Sequence, residues 1–186
     1  LGEIGIERVL ALDANLSEHL VSLDQLRAFE QSTIAAIDRL DAPVADVVKA
    51  RAVARERLDL ADLVEAYRED KKVAGVMDFA DQMAWGAALA LQRPEVGRLL
   101  RERFEVVLLD EYQDTSVTQR KMLQGLFSGP DPDHGRGHSL SAVGDPAQAI
   151  YGWRGASSDN MAYFREHFPT AEGGAGPVFG LRTSRR

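Results

Sequence analysis

Asp110-Glu111-Tyr112-Gln113-Asp114 follows directly on the apolar run Phe104 to Leu109, FEVVLL. Two adjacent carboxylates at a strand end can divide two tasks. One binds a hydrated Mg²⁺ in front of a phosphate chain, while its neighbour points at the water that attacks the terminal phosphoryl group. A solvated acidic turn is the alternative for any such pair. A second cluster runs from Val143 to Ala156, VGDPAQAIYGWRGA. Gln148 there offers an amide that can donate to a phosphate oxygen or to a catalytic water. Tyr151 and Trp153 are flanked by Gly152 and Gly155, small neighbours that let a planar base approach. Base stacking contributes about 1–3 kcal/mol per base. Arg154 is a fixed positive fork suited to a phosphoryl group. Core packing of the two aromatics and a surface ion pair for Arg154 are the alternatives.

Neither cluster supplies a phosphate cradle. The pattern GxxxxGK[ST] is absent, and no Gly-Lys dipeptide occurs in the chain. The glycines of Gly173 to Gly176 lack the lysine and read as a linker. His134 and His138 share a loop, but no third ligand accompanies them, so a metal site is not expected there. The chain has no cysteine, which excludes disulfides, thiolate zinc sites and cysteine nucleophiles.

The elements that must position these groups fall into two halves. From Ser17 to about Phe104 the pattern is helical. Leu23, Leu26, Ile34, Ile37 and Leu40 recur at helical spacing after an N-cap at Ser22. Pro43 opens a second helix carrying Val44, Val47 and Val48. Leu60, Leu63, Val64 and Tyr67 mark a third, ending at Lys71-Lys72. A fourth runs from about Asp78 to Gln92, and a fifth starts at Pro94. The second half alternates strands and helices. FEVVLL is followed by a helix capped by Ser116, then a strand at Ser139 to Val143, a helix capped at Ser158 and closed by Pro169, and a third strand at Val178 to Leu181. That alternation predicts a parallel α/β sheet, whose functional groups sit beyond the C-terminal strand ends. Both clusters lie there.

With 186 residues, 45% hydrophobic and 27% charged, the chain is long enough to bury one or two cores and is neither collagen-like nor disordered. Its apolar runs fall far short of the ~20 residues of a membrane span. The absence of a signal-like start and of cysteine makes a cytoplasmic location the expectation. The start at Leu1 rather than Met gives the expectation of a piece cut from a longer protein. The net charge of -7 argues against a dedicated DNA-binding domain, which is normally basic, but leaves room for a local basic groove.

DEYQDT (Asp110 to Thr115), followed by VGDPAQAIYGWRGA, resembles the UvrD/Rep-like branch of superfamily 1 DNA helicases. Met77-Asp78-Phe79-Ala80-Asp81 is similar to a further family segment that precedes the acidic motif. Leu181 to Arg186, LRTSRR, is similar to the start of the next motif, L-x-x-N-Y-R, with Ser184 and Arg185 in place of its Asn and Tyr. The form GDPAQAIYGWRGAS is most similar to helicase–nuclease subunits of the AddAB/AdnAB type.

The resemblance implies an α/β fold: a partial RecA-like P-loop NTPase parallel sheet with a largely α-helical insertion. Residues 1–75 would be the insertion, 76–180 the latter part of the first motor domain, and 181–186 the start of the second motor domain or a linker. Family roles carry over to matching positions. Asp110 would ligate Mg²⁺ and Glu111 would be the general base. Gln148 would sense the γ-phosphate, Arg154 would reach it, and Arg186 would be the arginine finger. Tyr151 and Trp153 would lie against bases of single-stranded DNA. Gln113 and Asp114 match the motif without a catalytic step assigned to them. Lys71, Lys72, Arg182, Arg185 and Arg186 are candidate phosphate contacts, with solvated surface as the default for such short runs. ATP and Mg²⁺ are the implied cofactors. The implied partners are single-stranded and duplex DNA, the remaining helicase domains, and, for the helicase–nuclease type, a second subunit. The implied activity is ATP-driven movement on single-stranded DNA in repair or recombination, with a non-hydrolysing DNA-binding scaffold as the alternative. Lacking the Walker A loop, the chain alone is not expected to hydrolyse ATP.

Overall fold

The structure, a computed structural model, describes residues 3–152, 155–181 and 183. The chain divides into two compact units, with the boundary between Trp85 and Gly86.

The first unit is helical. α1 (Glu3–His19), α2 (Leu23–Ile37) and α3 (Ala45–Ala74) pack around Val9, Leu16, Leu26, Ala61 and Val64. Ser22 caps α2 in a reciprocal pair: its hydroxyl accepts Gln25 N–H, and the Gln25 side chain accepts Ser22 N–H. α3 is one helix of 30 residues, about 45 Å long. The sequence predicts two helices here, starting at Pro43 and near Leu60. The intervening residues KARAVARERLDLAD contain no Gly or Pro and are rich in strong helix formers, so nothing interrupts the backbone ladder.

The cations of α3 also anchor buried acids on its neighbours. Arg57 Nη1 lies 2.9 Å from Glu30, which is 2% exposed. Arg68 Nε lies 2.6 Å from Asp13. Lys71 Nζ sits among three carboxylates, 2.9 Å from Asp13, 2.9 Å from Asp78 and 2.7 Å from Asp81. Burial works against the Lys71 ammonium, but hydrogen bonds to Asp81, Asp13 and Asp78 outweigh it and hold its pKa above the ordinary lysine value. The reading of Lys71 as a phosphate contact is therefore corrected. Its charge is spent inside the fold, and it fills the one acidic cluster among the described residues whose geometry could hold a cation. Lys72 is exposed and pairs with Glu69 at 3.2 Å. Asp78 and Asp81 also cap α4 (Phe79–Gln92), each carboxylate accepting the other's backbone N–H.

The second unit carries a two-stranded parallel sheet. β1 (Val106–Leu109) pairs with β2 (Ser139–Ala142), with Val106 opposite Ser139 and Leu109 opposite Ala142. The crossover is α6 (Val117–Phe127), which packs on α5 (Pro94–Arg103). Two glycines allow close approach: a Cβ on Gly97 would meet Gly125 O and Leu126 O at 3.0 Å, and one on Gly125 would meet Ala90 O at 2.7 Å. Gly125→Ala is expected to cost about 1–3 kcal/mol through overpacking, read as a lowered unfolding midpoint of the chain. Ser116 caps α6 with the same reciprocal geometry as Ser22, through Gln119. Ser116→Ala should cost about 1 kcal/mol in the same measurement, and Ser116→Gly clearly less.

Beyond β2, α7 (Ser158–Ala162) and α8 (Phe164–His167) replace the single helix expected from Ser158 to Pro169; the helix is interrupted at Tyr163. Val178 to Leu181, expected as a third strand, pairs with neither β1 nor β2 and is exposed. A strand exists only through its ladder, and among the described residues the sheet has two strands. Val106, Leu108 and Val143 are exposed. The fold is thus mostly helical with a partial parallel α/β element. Among the described residues, no helix is long and apolar enough to cross a membrane.

Candidate functional site

Both clusters emerge side by side at the C-terminal ends of the parallel strands. The ladder continues past them: Val143 N–H donates to Leu109 O at 2.8 Å, and Tyr112 N–H donates to Val143 O at 2.9 Å. These bonds set residues 110–113 directly against residues 143–145.

The chain turns sharply after β1. Asp110 accepts the Glu111 N–H on Oδ1 at 3.0 Å. Glu111 adopts left-handed backbone, φ 50° and ψ 40°, a conformation that costs a non-glycine residue roughly 1–2 kcal/mol. Strain of this kind persists where surrounding contacts over-determine it, and it clusters at functional sites. Here it ends the strand and starts a 3-10 turn at Tyr112–Asp114. Asp110 and Glu111 remain exposed, while Tyr112 and Gln113 are each 1% exposed. Tyr112 packs edge-on to Phe164, ring centroids 5.1 Å apart, and burial pushes its hydroxyl pKa well up.

Gln113 joins the clusters. Its Nε2 donates to Glu111 Oε2 at 2.8 Å, and its Oε1 accepts Asp145 N–H at 3.0 Å. Asp145 caps a 3-10 turn at Pro146–Gln148, accepting Ala147 N–H on Oδ1 at 3.0 Å and Gln148 Nε2 on Oδ2 at 2.7 Å. Hydrogen bonds from Gln148, then from Ala147, hold the Asp145 carboxyl below the usual carboxylate range.

The loop after Gln148 is moored to the start of α6. Ser157 N–H donates to Thr115 O at 3.2 Å, and Asn160 Nδ2 donates to the same oxygen at 2.7 Å. Arg120 Nε donates to Asn160 Oδ1 at 2.8 Å, and Ser116 bridges Ala156. Tyr151 stands in this loop, 38% exposed.

The structure therefore brings Asp110, Glu111 and Gln148 into one neighbourhood, with Tyr151 just beyond. Trp153, Arg154 and Arg186, and likewise Arg182 and Arg185, lie outside the described residues. His134 Nδ1 is bonded to Asp131 at 2.7 Å and His138 Nε2 to Phe104 O at 2.8 Å, so local contacts use both rings. Gln113, Asn160 and Arg120 hold the arrangement together; Gln113 matches the DEYQDT motif, which assigns it no step, while Asn160 and Arg120 carry no sequence signal of their own. As a donor set, two exposed carboxylates beside an amide are hard oxygen ligands, which suit a hydrated Mg²⁺.

Residues 8–169 match the UvrD/REP helicase N-terminal domain. DNA helicase II of Escherichia coli (strain K12) is 40% identical over 108 residues, covering 58% of this chain and 14% of that protein. A probable DNA helicase II homolog of Rickettsia felis is 34% identical over 110 residues, covering 58% of this chain and 15% of that protein. The exonuclease/helicase subunit RexA of Lactococcus lactis subsp. cremoris is 35% identical over 95 residues, covering 51% of this chain and 7% of that protein. The matched stretch is thus a small part of each relative. With the family match running through both the helical unit and the two strand-end clusters, the chain belongs to the UvrD/REP helicase N-terminal domain family.

Proposed function

We propose that this chain forms the helical insertion (residues 1–75) and the latter part of the first RecA-like motor domain (76–180) of an ATP-driven DNA helicase, with 181–186 leading into the next domain. The observation that carries the proposal is the hydrogen-bonded juxtaposition of residues 110–113 with residues 144–148 at the strand ends.

On this reading Asp110 holds a hydrated Mg²⁺, which when bound neutralises charge on the phosphate chain. Glu111, whose Oε2 is engaged by Gln113, uses its remaining oxygen to take a proton from the attacking water. Gln148 contacts the γ-phosphate, and Arg154 and Arg186 stabilise the charge that develops there. Tyr151 and Trp153 stack against bases of single-stranded DNA, on the loop that directly follows Gln148. That short connection lets nucleotide state bias the DNA-contacting face. The wider setting is DNA repair or recombination, with duplex DNA as a further substrate. The other helicase domains complete the motor, and a second helicase–nuclease subunit is the partner suggested by the likeness to RexA.

The test is strand displacement by the full-length parent protein on a duplex with a single-stranded tail. Displacement should require both ATP and Mg²⁺. The 186-residue chain alone, which has no GxxxxGK[ST] loop, should show no turnover. A parent that binds DNA but neither displaces strands nor hydrolyses ATP would sink the proposal.

A further inference from the structure

Gln113 has no task in the scheme above, yet it is among the most buried side chains of the chain, 1% exposed. Both ends of its amide are committed, to Glu111 Oε2 at 2.8 Å and to Asp145 N–H at 3.0 Å. Because an ionised carboxylate only accepts and a backbone N–H only donates, the amide can be seated one way round. Asp145 then binds Gln148 Nε2 at 2.7 Å. An unbroken line of hydrogen bonds runs from Glu111, through Gln113 and Asp145, to Gln148. The seat is shaped for it: a Cβ on Gly144 would overlap Gln113 Oε1 and crowd the backbone nitrogens of Gln113 and Tyr112.

We infer that Gln113 is a positioning residue: it fixes the Glu111 carboxylate for proton abstraction and ties it to the turn that carries Gln148. The base and the phosphate-contacting amide then keep a fixed relation while the surrounding loops move. Rotation of Glu111 away from its water would leave the Gln113 Nε2 donor, on a side chain 1% exposed, without this acceptor, and an unmade bond on a buried amide is costly. The inference rests on the proposed role of Glu111 as general base.

The test is steady-state ATP hydrolysis by the full-length parent with saturating single-stranded DNA, comparing Gln113→Met, Gln113→Glu and Gly144→Ala in wild-type and Glu111→Gln backgrounds. Gln113→Met removes both bonds. Gln113→Glu is nearly isosteric and keeps the acceptor for Asp145 N–H, but replaces the donor to Glu111 by a second carboxylate that repels it. Gly144→Ala disturbs the same contact from the other loop, so it and Gln113→Glu read the contact even where Gln113→Met fails to fold. In the wild-type background kcat should fall ~10–100-fold, the scale of a misplaced reacting group. KM for ATP should stay within about threefold, because none of the substituted side chains is itself a proposed nucleotide contact and Asp145 still holds Gln148. In the Glu111→Gln background the same changes should alter kcat less than about twofold, since a base that is absent cannot be misaimed. Wild-type kcat in the variants, equal losses in both backgrounds, or a change confined to KM would overturn the inference and leave the proposed function standing. Full turnover by Glu111→Gln alone would instead remove the general base, and the inference with it.

Discussion

Replacing Glu111 by Gln in the full-length parent should lower the rate of ATP hydrolysis by roughly 10²–10⁴-fold, the usual contribution of a positioned general base. The substitution is nearly isosteric. It keeps an oxygen that can accept from Gln113 Nε2, at present 2.8 Å from Glu111 Oε2. The left-handed backbone at 111 and the strand-end ladder have no reason to change. What is lost is the capacity to take a proton. The loss should appear in kcat, with KM for ATP within a few-fold of wild type, because the proposed nucleotide contacts Asp110, Gln148 and Arg154 are unchanged. DNA affinity should be unaffected, since the proposed base-stacking residues Tyr151 and Trp153 are unchanged. A rate within threefold of wild type would remove Glu111 from the mechanism.

The second large effect concerns stability. Lys71→Met should destabilise the helical unit by about 2–4 kcal/mol at neutral pH, measured by denaturant unfolding, because it removes the ammonium shared by Asp13, Asp78 and Asp81 and leaves Asp13 only Arg68. The Lys71 side chain is 9% exposed and Asp13 3%, so water cannot replace the ammonium cheaply. The pH dependence has a definite sign. In the wild type, burial tends to raise the Asp78 pKa, but hydrogen bonds from Asp81 N–H and Lys71 bring it below the usual value. Its contribution is therefore present above the ordinary carboxylate value, about 4, and is lost as pH falls through the lowered folded value. The raised pKa of Lys71 gives a contribution fully present below the ordinary lysine value and lost only as pH rises through the folded one. Wild-type stability should thus decline on acidification. In Lys71→Met, carboxylates left facing one another favour sharing a proton, so the deficit should shrink as pH falls toward about 4. A deficit independent of pH would mean that packing rather than charge is at stake.

The chemistry-bearing loops were legible because a short apolar run ending in paired carboxylates is a local signal, and the caps at Ser22 and Ser116 are local too. What escaped was set by distant partners. The sequence does not announce α1 before Ser17, because its buried face includes Asp13 and Ser17, which break the apolar periodicity. Lys71 looked like a free surface cation because the acids that claim it lie far away, at Asp13, or in the following cap, at Asp78 and Asp81. Val178 to Leu181 had strand composition but no ladder, and composition alone cannot supply one. At the site itself, Asp110, Glu111 and Gln148 could be picked out by type and spacing. The role of Gln113 could not, since it depends on Asp145 N–H arriving from a loop 32 residues on.

The most direct test of the central claim is the rate of ATP hydrolysis by the full-length parent, measured with Mg²⁺ in the presence and absence of single-stranded DNA. If, as proposed, Gln148 contacts the γ-phosphate and the loop after it stacks on DNA, the parent should hydrolyse slowly without DNA and severalfold or more faster with it. DNA binding without any ATP turnover would contradict the account, and would mark the parent as a helicase-like scaffold that no longer moves.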